Sequence, residues 1–427
     1  MALPSRSEVN TQNARPMHPA IKVWRNKSLK SFFNILKATR ERRERKSDVS
    51  SLPFVIFYEP TSFCNLKCPS CPTGTGMLDR PKERLDPEQF KATVDALADK
   101  VFVLYMYNWG EPLLHKEFSR LVKYATSKGI VVKTSSNLSI PLSNDQLKDV
   151  VESGLQQIKI GIDGATQQVH EQYRKRSDLE LVHKNVRTIA DFKEQLNSAT
   201  PEISVAYHVF AHNESEIEEF KKQMPALGVN HFGPSPSWLP PDGTVSKPKD
   251  PRFDMYQIAN KTISGLRSQG EELKPCGWLY YATVINPGGS ISPCCGVASE
   301  SYDYGELPAK GGAAEMDNGF RAIWKGKKYA ASRKLFTGKE RLEKWSSKNL
   351  RDLHPDGMAF SQLSTKSSLI CADCPIPHTL ERWTGELEDI YKLYRQETKR
   401  CLRSLNLVGA TLNAIKTIIL RSALRGQ

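Results

Sequence analysis

Nowhere in the 427 residues is there a run of the roughly 18 consecutive apolar residues that a membrane-spanning helix needs. A helical integral membrane protein is therefore not expected. The opening MALPSRSEVN lacks the charged-then-apolar layout of a secretory signal. The expectation is a cytoplasmic chain whose nine cysteines are reduced thiols, so metal or catalysis accounts for them better than disulfides do. Gly and Pro, 26 of each, are too sparse for a collagenous or low-complexity chain, and no repeat recurs at solenoid spacing. Acidic residues are missing altogether from 399–427, which holds six Lys/Arg, while residues 1–50 hold twelve Lys/Arg against four Asp/Glu. Those two ends account for the whole net charge of +14. The body between them is formally neutral, so no nucleic-acid partner is expected.

What the ends do contain is apolar periodicity. Ile21, Trp24, Leu29, Phe32, Phe33 and Leu36 recur at helical spacing ahead of the basic run RERRERK, and Leu405, Val408, Leu412, Ile415 and Ile419 form a second stripe. Two readings stay open for these helical basic extensions. Either they dock on the body, or they make a peripheral contact with a partner or with an anionic membrane surface, where each charge adds up to about 1 kcal/mol.

Between the ends, β-branched runs at VIFYEPT, VFVLYMYN, IVVKTSSN, QIKIGID, ISVAYHVF and VNHFG alternate with amphipathic stretches such as DPEQFKATVDALAD and HKEFSRLVKYATSKG. At roughly 30 residues per βα unit this is room for about six units, too few for a closed eight-stranded barrel. The fold expected is α/β, a partial (β/α)6 barrel over 51–233, followed by a small α+β module. A Pro-rich linker or cover segment spans 234–264, the module 265–385, and basic extensions lie at 1–50 and 386–427. The module shows a hairpin signal, VINPGGSISP, and one helix over FRAIWKGKKYAASRKLF.

Cys64, Cys68 and Cys71 stand in TSFCNLKCPSCP immediately after the first strand, a C-x3-C-x2-C spacing. Three thiolates so close can hold three irons of a four-iron cluster and leave the fourth iron open. A zinc site would want a fourth ligand nearby, and Asn65 and Ser70 are poor ones. The cysteine loop resembles that of the radical S-adenosylmethionine (radical SAM) superfamily, and the resemblance continues in chain order over about residues 55–380. The segment Asn108-Trp109-Gly110-Glu111-Pro112 is similar to the family's GGEP motif, with Trp109 in place of the first Gly, a change that leaves the backbone role intact. Ser135, Ser136 and Asn137 resemble its ribose-contacting strand end, and Asp163-Gly164 with Tyr173-Arg174 its DG…YR segment. The resemblance implies that Gly110, Glu111, Pro112, Ser135, Ser136, Asn137, Asp163 and Arg174 bind S-adenosylmethionine, with Glu111 near its ammonium and Arg174 near its carboxylate. The residue before the third cysteine, often aromatic in the family, is Ser70 here, so adenine placement falls to other side chains.

A second group comprises Cys276, Gly289 and Cys294 in a C-x12-G-x4-C pattern, then Cys371 and Cys374. This spacing resembles the twitch form of the SPASM extension, which implies one auxiliary 4Fe-4S cluster on Cys276, Cys294, Cys371 and Cys374; structural zinc is the alternative. Phe320–Phe336, with Trp324 and Arg333, adds to the likeness. Cys295, beside Cys294, is either a small buried residue, a competing ligand or a hydrogen-atom donor.

By resemblance, then, the chain is an oxidoreductase-type enzyme. It takes an electron from an external donor such as flavodoxin or ferredoxin, cleaves S-adenosylmethionine to a 5′-deoxyadenosyl radical, and dehydrogenates a small-molecule or glycan-like substrate, the auxiliary cluster accepting the substrate's electron. Epimerisation through Cys295 and peptide maturation are alternatives, and a non-catalytic iron-sulfur or zinc scaffold is a third. Residues 1–50 look too short and basic for the peptide-clasping domain that a maturase would carry. His208, His212, Trp238 and Asp242 are candidates for receiving the substrate.

Overall fold

The computed structural model describes residues 27–237, 243–255 and 275–336, together with 239 and 257. Each of the six β-branched runs forms a strand: β1 (Val55–Tyr58), β2 (Val103–Tyr105), β3 (Val131–Ser136), β4 (Gln157–Gly161), β5 (Glu202–His208) and β6 (His231–Ser235). All six pair in parallel, in the spatial order β6-β5-β4-β3-β2-β1. Strand β1, in the middle of the sheet, is buried on both faces, as a parallel strand covered by helices is, whereas no residue of the edge strand β6 is buried.

The helices are α1 (Leu29–Arg43), α2 (Pro72–Thr75), α3 (Pro87–Leu97), α4 (Phe118–Ser127), α5 (Asn144–Glu152), α6 (Gln167–Tyr173), α7 (Leu179–Gln195), α8 (Ile217–Gln223), α9 (Trp278–Tyr281), α10 (Ala313–Trp324) and α11 (Lys327–Lys334). Their starts are legible in the chain. Asp86, Ser143, Thr166 and Asp178 each accept a first-turn N–H with a side-chain oxygen, and Ser143 with Gln146 completes a capping box. Phe90, Val94 and Leu97 of α3, and Leu121, Val122 and Ala125 of α4, point into the core at three- and four-residue spacing.

The sheet does not stop at β1. Strand β7 (Ala282–Ile285) pairs with it in parallel, and antiparallel β8 (Ser290–Ser292) and β9 (Gly305–Glu306) complete nine strands. A bare β1 edge would leave a row of amide and carbonyl groups unmatched, and the hairpin expected after the barrel fills it. Among the described residues, the small module is thus an extension of the barrel sheet.

The N-terminal segment joins the same core. Phe32, Ile35 and Ala38 of α1 are buried, whereas Phe33 is 59% exposed. Arg42 donates to the Pro275 carbonyl at 2.7 Å and lies over the Tyr281 ring, the Tyr280 hydroxyl donates to the Lys46 carbonyl, and Trp324 Nε1 donates to the Ser51 carbonyl. The helix expected over FRAIWKGKKYAASRKLF is two helices. It breaks at Gly326, whose backbone is extended (φ −71°, ψ 171°) and so close to the Ala322 carbonyl oxygen that a Cβ would lie 2.7 Å from it. The buried Arg333 staples the break, donating to the Trp324 and Leu279 carbonyls and packing against the rings of Trp324, Tyr329 and Tyr280.

Within the segment expected as linker, Pro234 lies in β6, an edge strand where a missing N–H is tolerated. Val245 and Leu239 pack onto Leu66, Cys68, Tyr173 and Phe210, so this segment covers the first cysteine loop. No helix of the described residues is long and apolar enough to cross a membrane. Cys371, Cys374, Trp238, Asp242, Ile21, Trp24 and the C-terminal stripe lie outside the described residues.

Candidate functional site

The loop leaving β1 carries Cys64, Cys68 and Cys71 as unbridged thiols, at the carboxyl ends of the parallel strands where barrel sites form. Its shape is fixed by backbone bonds: Cys71 N–H donates to the Cys68 carbonyl at 3.1 Å, and Lys67 N–H to the Lys175 carbonyl at 3.1 Å. Gly74, in α2, sits so close that a Cβ would overlap the Cys68 backbone. Leu66, Tyr173, Phe210 and Val245 give the loop an apolar lining.

These residues fit an iron-sulfur cluster by their chemistry. The donor set is all sulfur, and Cys64 Sγ accepts hydrogen bonds from Leu66 N at 3.4 Å and Asn137 Nδ2 at 3.6 Å, the kind of contact that tunes a cluster's potential. Burial pushes the Cys64 thiol up to about 12, with the Glu111 carboxylate adding to the rise, and the Cys68 thiol up to about 11. Left alone, both stay protonated at neutral pH; a metal would hold them as thiolates. Among the described residues no three Cys, His, Asp or Glu converge to hold a single ion.

After β2, Gly110 packs on the cysteine loop so tightly that a Cβ would overlap the Thr61 carbonyl, and Glu111 N–H donates to the Phe63 carbonyl at 2.9 Å. Pro112 opens a 3-10 turn, Pro112–Leu114. The Glu111 side chain is turned inward and bonded within the protein. It is 3% exposed and accepts from Ser136 Oγ at 2.7 Å, Asn137 N at 2.8 Å and Leu113 N at 3.1 Å. Burial raises its carboxyl to about 7, against the pull of those donors. Glu111 thus ties the β2 loop to the end of β3, and Ser136 and Asn137 are occupied with Glu111 and Cys64. Ser135, one residue earlier, is half-buried on β3.

After β4, Asp163 is fully buried and accepts from Arg174 Nε at 2.6 Å and from the His208 N–H at 2.6 Å. Arg174 is therefore committed to a carboxylate inside the protein. Although burial opposes ionisation, the Arg174 guanidinium holds Asp163 below the usual carboxylate range. Its own position depends on Gly161, where a Cβ would lie 2.6 Å from Nη2. The same guanidinium offsets the burial of Cys68. His208 packs edge-on to Tyr173, and His212 lies parallel to the Phe210 ring at 5.7 Å with Nε2 buried and unpartnered among the described residues.

Sequence reasoning missed Glu59. At the end of β1 it is fully buried, and Oε1 accepts the N–H groups of both Trp109 (2.6 Å) and Gly110 (2.7 Å). Its other oxygen, Oε2, has no partner among the described residues, and burial raises the group to about 7. The signal available was an acid inside an otherwise apolar strand run, VIFYEPT. Arg80 was missed as well: it crosses from the barrel to Asp303 with two bonds of 2.6 and 2.7 Å, both side chains nearly inaccessible.

Of the second cysteine group, Cys276 precedes α9, and Cys294 with Cys295 follows β8; all three are partly buried. Gly289 has φ +94°, a left-handed turn between β7 and β8 that favours glycine.

Residues 58–224 match the family model described as Radical SAM superfamily. The chain is 23% identical over 303 residues to the mycofactocin maturase MftC of Mycolicibacterium smegmatis, which covers 66% of this chain and 72% of the relative. To the PqqA peptide cyclase of Bradyrhizobium diazoefficiens it is 21% identical over 273 residues, 60% of this chain and 70% of that one. The structure of Streptococcus suis SuiB bound to precursor peptide SuiA shares the fold with a TM-score of 0.50 and 13% identity, covering 79% of this chain and 82% of that one. The cysteine loop after β1 and the turn after β2 that closes over it both lie within residues 58–224, the stretch of this chain that is similar to the radical SAM superfamily.

Proposed function

We propose that the chain is a radical SAM oxidoreductase that holds a 4Fe-4S cluster on Cys64, Cys68 and Cys71 and a second on Cys276, Cys294, Cys371 and Cys374. The observation that carries the reading is the apolar, backbone-braced loop of three thiols at the strand ends, with an N–H donor on Cys64 and a guanidinium beside Cys68. The first cluster, when bound, supplies the electron that splits S-adenosylmethionine into methionine and a 5′-deoxyadenosyl radical. The protein's own part is positional. Glu59 accepts the amides of the turn at Trp109–Pro112 and Glu111 ties that turn to the end of β3, Asp163 holds Arg174 against the cysteine loop, and Val245 with Leu239 shields that loop from water.

With a second cluster as electron acceptor, the reaction is a dehydrogenation, and a small-molecule or carbohydrate-like substrate suits a body without net charge. A second reading, modification of a peptide, draws on the relatives named as a maturase and a peptide cyclase. Anaerobic reconstitution tests the core of the proposal. About eight irons per chain should fall to about four when Cys64, Cys68 and Cys71 become Ala, with loss of 5′-deoxyadenosine formation. Four irons falling to none, with zinc retained, would replace the second cluster by structural zinc and remove the electron acceptor. Which of peptide or carbohydrate-like compounds stimulates 5′-deoxyadenosine release separates the two substrate readings.

A further inference from the structure

Trp109 occupies a position where the family's motif has glycine, and its surroundings give the larger residue a purpose. Its N–H donates to Glu59 Oε1 at 2.6 Å, and its carbonyl accepts from Thr73 Oγ1, two residues past Cys71, at 2.9 Å. The indole Nε1 donates to the carbonyl of the buried Val297 at 3.0 Å. Val297 belongs to the turn that starts at Cys294, its own N–H donating back to the Cys294 carbonyl at 3.4 Å. One residue therefore touches the loop of the first cysteine group through its backbone and the loop of the second through its side chain. The rest of that second loop is gripped from the same direction: Glu300 N–H donates to the Asp79 carbonyl at 3.0 Å, Ser299 Oγ to Asp79 Oδ2 at 2.7 Å, and Arg80 pairs with Asp303. A glycine in this place would keep the backbone bonds of residue 109 and lose the indole link to Val297.

We infer that Trp109 is a positioning residue that couples the cofactor-binding turn to the loop bearing Cys294 and Cys295, so that binding of S-adenosylmethionine stiffens the second cysteine loop. The inference rests on the proposed S-adenosylmethionine site and adds to it a route between the two cysteine groups. A coupling of this kind requires a contact that both sites bias, and the indole bond is that contact.

The test is hydrogen exchange, measured by mass spectrometry on the anaerobically reconstituted full chain, of the peptide covering 293–299 with and without saturating S-adenosylmethionine. Wild type should exchange several-fold more slowly in this peptide when the cofactor is present. Trp109→Phe keeps the ring and removes the donor, and should show no such difference; Trp109→Gly, which restores the motif's residue, should behave the same way and serves if the Phe variant does not fold. Thr73→Val cuts the backbone tie alone and should retain the cofactor-dependent protection. A role confined to stability would loosen the peptide equally in both states. Protection that persists in both Trp109 variants, or wild type that binds the cofactor without protecting 293–299, overturns the coupling. Wild type that does not bind S-adenosylmethionine overturns the site itself, which is a separate result.

Discussion

Glu59 and Glu111 are two buried carboxyls that brace one turn, Glu59 by accepting its amides and Glu111 by tying it to the end of β3, and both are lifted to about 7 by burial. The linkage has a definite sign. A carboxyl whose folded pKa lies above its ordinary value, near 4.3, binds a proton more tightly in the native state, so its contribution to stability is complete below that value and fades as pH rises through about 7. The reconstituted protein should therefore lose melting temperature between pH 5 and pH 8. Glu59→Gln keeps an acceptor for the Trp109 and Gly110 amides while removing the titration, and should flatten that slope in a thermal scan; an unchanged slope would exclude Glu59 as its source. Asp163 behaves differently because a cation faces it. Asp163→Asn leaves Arg174 buried without its counter-charge and should cost about 3–5 kcal/mol in a denaturant titration. These residues also mark where sequence reading ends. Cys64, Cys68 and Cys71 are readable as one loop of thiols because their spacing keeps them together, whereas the direction a carboxylate faces depends on which donors the fold brings to it. That Glu111 accepts from Ser136 and Asn137 is not legible in the segment that carries it.

At the scale of elements, six parallel strands and the hairpin are written in the chain because β-branched runs between amphipathic helices have few alternatives. The pairing of β7 with β1 is not written there, since nothing in a strand's own sequence says which edge it will meet. The break at Gly326 was available in principle: glycine is a poor interior helix residue, and here it follows the buried Trp324. The turn after β2 offers a sharper test of element geometry. A Cβ on Gly110 would overlap the Thr61 carbonyl, a backbone atom that cannot swing aside. Gly110→Ala should thus push the turn away from the cysteine loop and weaken S-adenosylmethionine binding by at least about tenfold, a loss of about 1.4 kcal/mol, measurable by anaerobic equilibrium dialysis. Gly76→Ala, where a Cβ meets nothing within 4 Å but φ is +77°, should instead cost only the about 1 kcal/mol of left-handed backbone strain.

For the molecule as a whole, the question is whether barrel and extension fold as one unit. They share a sheet through β1 and β7, α1 packs on α9, and Trp324 reaches back to the Ser51 carbonyl. The most telling contact is Arg80 with Asp303. It is bidentate, nearly inaccessible, and supplemented by Ser292 Oγ on Asp303 and by Arg80 Nη2 on Ser292 Oγ at 3.0 Å. A buried ion pair of this kind adds little over an apolar pair of the same shape, yet losing one partner strands the other charge at a cost of about 3–5 kcal/mol. Arg80→Met and Asp303→Leu should each destabilise by that order, and the double variant by clearly less than their sum, with a coupling energy above about 1 kcal/mol. If the two modules unfold independently, the single variants should instead split the denaturation curve into two transitions and show no coupling. One transition that shifts as a whole means that the electron-accepting module proposed here is held to the radical-generating barrel throughout the native state, which is the arrangement that transfer between two cysteine groups demands.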